Sequence, residues 1–347
     1  MNSAVSPTLA AAADTARSGG ARPAAALPSL ADAAPWLARF TPPFAFGSFF
    51  APEDTVLCAL ATCDALRRAR RPGDPAAGDR PAGRRVVELT AGSALVLCAA
   101  LHADPALQGV AAEVDAEAVA RAHGNFEAAG VADRARVRRV GLFSRRLPAW
   151  LRRVDAAVVA CNPPYIPEPP DAPLALVAGA GSRGDRHPRR VLRAAAEAGA
   201  PRVVLSWCSL GNPVAVARTA ARAGYRLERL WAAGLADGEY SGEVHAYLRT
   251  LRTSYLHEGP ATLGALAPDG AARFAYLLLA GSFVRDVATD ADRRRRGVRR
   301  VARLVRAFRA DGLAALERAR VARVPGLTLY RVDRWDELRL RVMAHGR

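Results

Sequence analysis

Ala156-Ala157-Val158-Val159-Ala160-Cys161-Asn162-Pro163-Pro164-Tyr165 is an apolar run of strand length that stops at a stiff corner. Each proline fixes φ near −65° and donates no N–H, and the residue before a proline is pushed to an extended conformation. The corner therefore presents backbone carbonyls that no amide of the same turn can claim. Those carbonyls and the Asn162 side-chain oxygen can accept N–H bonds from a planar –NH2 group, and the Tyr165 ring can stack on its face. That suits chemistry at a nitrogen weakened as a nucleophile by conjugation to an amide or a base. A proline-rich loop after a buried strand is the simpler reading of the same residues.

Upstream of this corner the pattern alternates. Val86 to Leu89 reads as a strand and Ala94 to His102 as a helix; Gly109 to Glu113 is a second strand and Ala116 to Ala129 a second helix. Arg136 to Val140 and Asp155 to Cys161 are the third and fourth strands. Downstream, Arg189 to Ala198 and Val214 to Ala223 are helical, Arg202 to Trp207 is a strand, and Tyr225 to Trp231 with Glu243 to Arg252 reads as a closing pair. Alternation of this kind predicts a parallel sheet with helices on both faces. Ligands of such sheets lie beyond the carboxyl ends of the strands, where Thr90-Ala91-Gly92-Ser93 and the Asn162 corner both fall.

Residues 44–250 resemble the class I S-adenosylmethionine (SAM)-dependent methyltransferases, and among them the HemK-like glutamine methyltransferases and their amino-methylating relatives on nucleic acids. The residues that carry the resemblance are Asn162-Pro163-Pro164-Tyr165, followed by Ile166-Pro167-Glu168. It implies an α/β, Rossmann-like domain with a seven-stranded, mostly parallel sheet, and SAM as cofactor. It makes Asn162, Pro163 and Tyr165 the catalytic corner. Glu88, Thr90, Gly92, Glu113, Gly141, Leu142 and Asn162 become the cofactor contacts, and no metal is implied. The family carries a Gly-x-Gly-x-Gly loop after the first strand; here only Gly92 survives, with Thr90 and Ala94 in the other places. Glu88 would face the methionine ammonium through water. In the relatives the acid that takes the ribose hydroxyls precedes a helix asparagine by twelve positions, which from Asn125 selects Glu113 over Asp115. Asp115 is then the helix cap. A third family acid, for the adenine amino group, is replaced by Gly141, leaving the Gly141-Leu142 backbone and ring contacts such as Phe143. The stretch Phe44 to Phe50 matches a segment that folds over the cofactor, with Pro52-Glu53-Asp54-Thr55 beside it.

Composition bounds the rest. The chain has 347 residues, 51% hydrophobic, enough for one sizeable domain plus an appendage. All 50 basic residues are arginine and the formal net charge is +17, which suits a polyanionic partner such as RNA or a solvated basic surface. Five scattered cysteines without a Cys-x-x-Cys pair fit a reduced, cytoplasmic protein lacking zinc or a disulfide framework. No apolar run reaches the roughly 18 residues that cross a bilayer, and the start does not read as a signal peptide. Residues 1–34 read as a disordered Ala/Pro-rich leader, 35–83 as an aromatic and helical segment with a linker, and 84–256 as the methyltransferase domain. Residues 257–347 read as an Arg-rich, mainly helical extension, with helices at Ala271 to Val287 and Ala291 to Ala322 and a short strand at Leu327 to Val332.

Within the resemblance, the glutamine of a protein is the first acceptor to consider. RNA or DNA amino groups are the second, with phosphates held by the arginine helix at 291–322, and a small amine or amide is the third. A non-catalytic scaffold or RNA-binding module, in which the altered glycine loop reflects loss of cofactor, belongs to a different class.

Overall fold

The apolar run before Asn162 forms strand β4 (Val158–Cys161), buried throughout, in a computed structural model that describes residues 27–34, 52–70, 85–175, 178–236, 239–259, 273–286 and 291–332. Beside it runs β1 (Arg85–Leu89), and beyond β1 lie β2 (Gln108–Glu113) and β3 (Ala135–Arg139), all parallel. On its other side β4 pairs with β5 (Arg202–Cys208), again parallel. The strand order β3-β2-β1-β4-β5 reverses direction between β1 and β4, and a crevice opens at such a reversal above the strand ends. This is the Rossmann-like arrangement that the alternation predicts.

The far half of the sheet departs from the sequence reading. β8 (Arg273–Arg285) lies antiparallel between β5 and β6 (Tyr225–Ala236). β9 (Leu327–Arg331) then adds parallel to β6, and the short β7 (His257–Gly259) pairs with β8, giving nine strands in one sheet among the described residues. Residues 273–285 were expected to be helical and to lie outside the domain. Residues 274–284 are buried without a break, as a strand covered on both faces must be, so they lack the alternation that marks a half-exposed strand. With that place filled, 243–252 is not a strand. It winds into α7 (Glu239–Glu243) and α8 (His245–Thr250), which turn Leu248 into the core. The extension past residue 256 thus supplies β7, β8 and β9 as well as helices.

Two helical layers cover the sheet. On one face α1 (Pro52–Ala69), α2 (Leu95–Ala103) and α3 (Ala116–Ala128) enclose a core that includes Leu57, Leu97 and Phe126. On the other, α4 (Leu147–Val154), α5 (Arg186–Ala198), α6 (Pro213–Arg222) and α9 (Ala291–Asp311) enclose Leu151, Leu192, Val216 and Phe308. α10 (Leu313–Val321) follows α9 and adds Leu316 to the same core. The last residues of the expected leader are ordered: Leu30 and Ala34 are buried in the α1–α3 core and Leu27 in the core on the opposite face. The Phe44 to Phe50 stretch, the 71–83 linker and residues 1–26 lie outside the described residues.

Candidate active site

Register places the site. Leu89 and Cys161 are direct neighbours at the ends of β1 and β4, so the chain leaves the sheet at Thr90 and Asn162 side by side. The Thr90 hydroxyl lies 3.2 Å from the Cys161 sulfur and bonds the Leu89 carbonyl at 2.7 Å. Leu89 also pairs with Ala112, which brings Glu113 to the same level. A cleft of about 390 Å3 opens there, and Glu88, Thr90, Gly92, Glu113, Gly141, Leu142, Asn162, Pro163 and Tyr165 all line it. The proline corner and the tip of the first strand therefore share one cavity.

The loop after β1 keeps a glycine-type backbone without the glycines. Thr90, Gly92 and Ala94 have φ of 50°, 52° and 59°. For a residue with a Cβ this left-handed region costs about 1–2 kcal/mol, so neighbouring bonds must hold the loop in place. The Gly92 amide donates to the Glu113 carboxylate at 2.8 Å, the Ala91 amide to the Ala112 carbonyl at 3.2 Å, and the Asn125 side-chain amide to the Ser93 carbonyl at 2.7 Å. Asn125 is thus a fastener of this loop as well as a helix residue. A Cβ on Gly92 would meet nothing within 4 Å, as befits a residue facing open space.

The acids divide their work. Glu88 is buried beneath the loop and accepts from the Leu97 amide at 2.8 Å. Helix α2 has no side-chain cap of its own, so Glu88 serves its N-terminus from the strand below. Burial pushes the Glu88 carboxyl up to about 8. Asp54, in the first turn of α1, also lines the cleft and is likewise raised to about 8 by burial. Asp115 accepts from the Glu117 and Ala118 amides at 2.7 and 3.1 Å, as a helix cap. Glu113 is held by the Gly92, Val114 and Asp115 amides and borders the cleft.

On the β3 side the backbone acceptors expected for adenine are already engaged. The Gly141 carbonyl accepts from the Ser144 amide at 3.0 Å, and the Leu142 carbonyl from Arg190 at 3.0 Å. Two apolar residues stand there instead. Val114 and Phe143 line the cleft while remaining 47% and 46% exposed, and they are the exposed large hydrophobic residues recorded among the described ones. Val114 follows Glu113 in sequence, a position no periodicity singles out. The Arg186 guanidinium lies 4.7 Å from the Phe143 ring centre and the His187 ring meets it edge-on at 5.0 Å. His187 sits in the first turn of α5, half-buried, on the cleft wall. Burial and the Arg186 charge lower its pKa, which leaves it neutral at pH 7.

At the corner itself, Asn162 Oδ1 is occluded from solvent and has no hydrogen-bond partner among the described residues. No donor among the described residues reaches the Pro163 carbonyl. Tyr165 lines the cleft with most of its surface buried. Behind it, Gly184 has φ of 63°, and a Cβ there would come within 2.4 Å of the Tyr165 carbonyl. Glu168 accepts from the Leu174 and Gly181 amides at 2.9 and 2.8 Å and so ties down the loop that follows.

The sequence matches no family model and no curated protein. Among solved structures, it is similar to the precorrin-6y C5,15-methyltransferase of Geobacter metallireducens GS-15, at 12% identity over 69% of this chain and 93% of that one, with a TM-score of 0.36. An O-methyltransferase family protein from Burkholderia thailandensis matches at 12% identity over 68% and 60%, with a TM-score of 0.33. An RNA methyltransferase from Salinibacter ruber, solved with S-adenosyl-L-homocysteine, matches at 19% identity over 40% and 77%, with a TM-score of 0.25. The fold assignment rests on the strand order, and the functional reading on the cleft.

Proposed function

We propose that the chain is a SAM-dependent methyltransferase that methylates a planar amide or exocyclic amino nitrogen. One observation carries the reading: the Asn162 side chain, whose oxygen has no hydrogen-bond partner among the described residues, lines the same cleft as the loop after β1 and its carboxylates. An occluded acceptor left without a donor costs about 1–3 kcal/mol, a cost that an incoming –NH2 removes. A cation-bearing nucleoside fits the remaining walls. Glu113 offers oxygens for paired ribose hydroxyls, Glu88 and Asp54, whose carboxyls burial raises to about 8, offer acceptor oxygens to an ammonium group, and Val114 with Phe143 offers apolar surface to a base.

When bound, SAM supplies a methyl group already activated by its sulfonium. The protein's part is to position and to exclude water. Asn162 Oδ1 and the Pro163 carbonyl accept from the amino group, fix its plane, and draw its lone pair toward the direction of attack; the Tyr165 side holds the plane from behind. No strong base is required when the proton leaves after the methyl arrives. Both a protein glutamine, the HemK-like acceptor, and a nucleic-acid base present such a group, and the corner alone is suited to either.

Calorimetric titration with SAM, followed by transfer of labelled methyl, tests the proposal. Asn162→Ala is expected to lower the transfer rate by about 100-fold while changing SAM affinity less than about twofold. Loss of both together would make Asn162 a structural residue, and absence of any SAM binding by the wild-type chain would overturn the reading.

A further inference from the structure

Among the described residues, the helical layer of α4, α5, α6 and α9 carries a run of exposed arginines. On the α1–α3 face, Arg67, Arg68 and Arg121 each pair with an acid of the same helix. On the opposite face, α6 and α9 pack side by side and expose Arg218 and Arg222 from the one, and Arg296, Arg299 and Arg303 from the other. None of these five has an acidic partner among the described residues. Arg296, Arg299 and Arg303 are spaced three and four apart, so they form a single stripe along α9. The layer continues through α5 to α4, where Arg193 and Arg153 are exposed. α5 reaches the cleft directly, since its first turn carries Arg186 and His187.

We infer that the α4–α5–α6–α9 layer is the docking face for a structured RNA whose phosphates run along these arginines, with a nucleotide at its end entering the cleft past Phe143. The inference rests on the methyl-transfer reading for what happens in the cleft; the docking face stands on charge and exposure. Three observations favour RNA. Guanidinium groups bind phosphate with two parallel N–H bonds. The exposed arginines extend along helices from the cleft toward the far ends of the strands, so a free amine or a short side chain would leave them unused. A membrane surface requires exposed apolar side chains beside the charge, and among the described residues the exposed large hydrophobic ones, Val114 and Phe143, line the cleft instead. Phe143 at the rim offers a ring to an unstacked base.

The test is binding of a fluorescent RNA stem-loop of about 25 nucleotides to the full chain, measured by anisotropy between 50 and 200 mM salt. The expected result is an affinity that falls steeply with salt. Arg296→Glu combined with Arg299→Glu and Arg303→Glu should weaken binding at least about tenfold and reduce the log–log salt slope by about one per residue. SAM affinity of the triple variant should be unchanged, and Arg67→Glu on the opposite layer should leave RNA binding unchanged. Salt-independent binding, an equal loss from Arg67→Glu, or binding to vesicles containing anionic lipid but not to RNA would overturn the inference. RNA binding that persists without any SAM affinity would retain the docking face and remove the methyl-transfer reading.

Discussion

Ala94 and Thr90 show how a single dihedral survives replacement of the residue that suits it. Both hold left-handed φ values where a glycine would be unstrained. At Ala94, relief of about 1–2 kcal/mol on substitution by glycine opposes the loss of a buried methyl, about 0.8 kcal/mol, and added chain entropy of about 0.5–1 kcal/mol. Ala94→Gly should therefore lie within about 1 kcal/mol of the parent in urea denaturation. Ala100→Gly, inside α2 and equally buried, has no strain to relieve and should cost about 2 kcal/mol. Equal costs at both positions would mean that Ala94 is not strained. Asp54 and Glu88 make a second prediction. Burial raises them from 3.8 and 4.5 to about 8 each, so the folded chain binds these protons more tightly than the unfolded one. Stability contributed by these groups should then fall as pH rises from about 4 to about 8, the reverse of an ion-paired carboxylate. Asp54→Asn should flatten that decline, which denaturation midpoints across the window would reveal.

At the scale of elements, the corner after β4 depends on its support. Gly184→Ala would force a Cβ against the Tyr165 carbonyl at a left-handed φ, so it should shift residues 162–165. We expect a large fall in methyl transfer with SAM affinity nearly retained, measured by paired rate and calorimetric assays. The sequence disclosed these elements unevenly. β1 to β5 and helices α2, α3, α5 and α6 were legible because Val/Ala runs alternate with amphipathic stretches, and because Asp115 and the prolines mark boundaries; the short α4 was not. β8 was not legible: a thirteen-residue apolar strand between two partners has the composition of a buried helix. The lining of the candidate cleft was legible where a rare residue sequence marks it, as at Asn162-Pro163-Pro164-Tyr165. Val114 and His187 were not, since their place on the cleft wall follows from tertiary packing and leaves no local signature.

For the whole molecule, the late strands weld the C-terminal region to the domain. Arg202 of β5 is buried, and its guanidinium bonds Glu228 of β6 across the intervening β8. Removing the acid leaves a charge in the interior, at a cost of about 3–5 kcal/mol. Glu228→Ala should accordingly lower the urea midpoint of the entire chain in one cooperative transition. A biphasic curve would show instead that the far half of the sheet unfolds independently.

The two margins of the sheet are guarded by different means. β3 turns Arg136, Arg138 and Arg139 outward, and like charges along an open strand repel a second copy. β9 has no comparable row; at its last residue the strap at Pro28 to Leu30 supplies partners, through the Arg331 amide to the Pro28 carbonyl and the Leu30 amide to the Arg331 carbonyl, both 3.0 Å. Trimming the chain past Leu30 would thus unmask a ready template for strand addition, and the shortened protein would be prone to self-associate through β9 before it lost its fold.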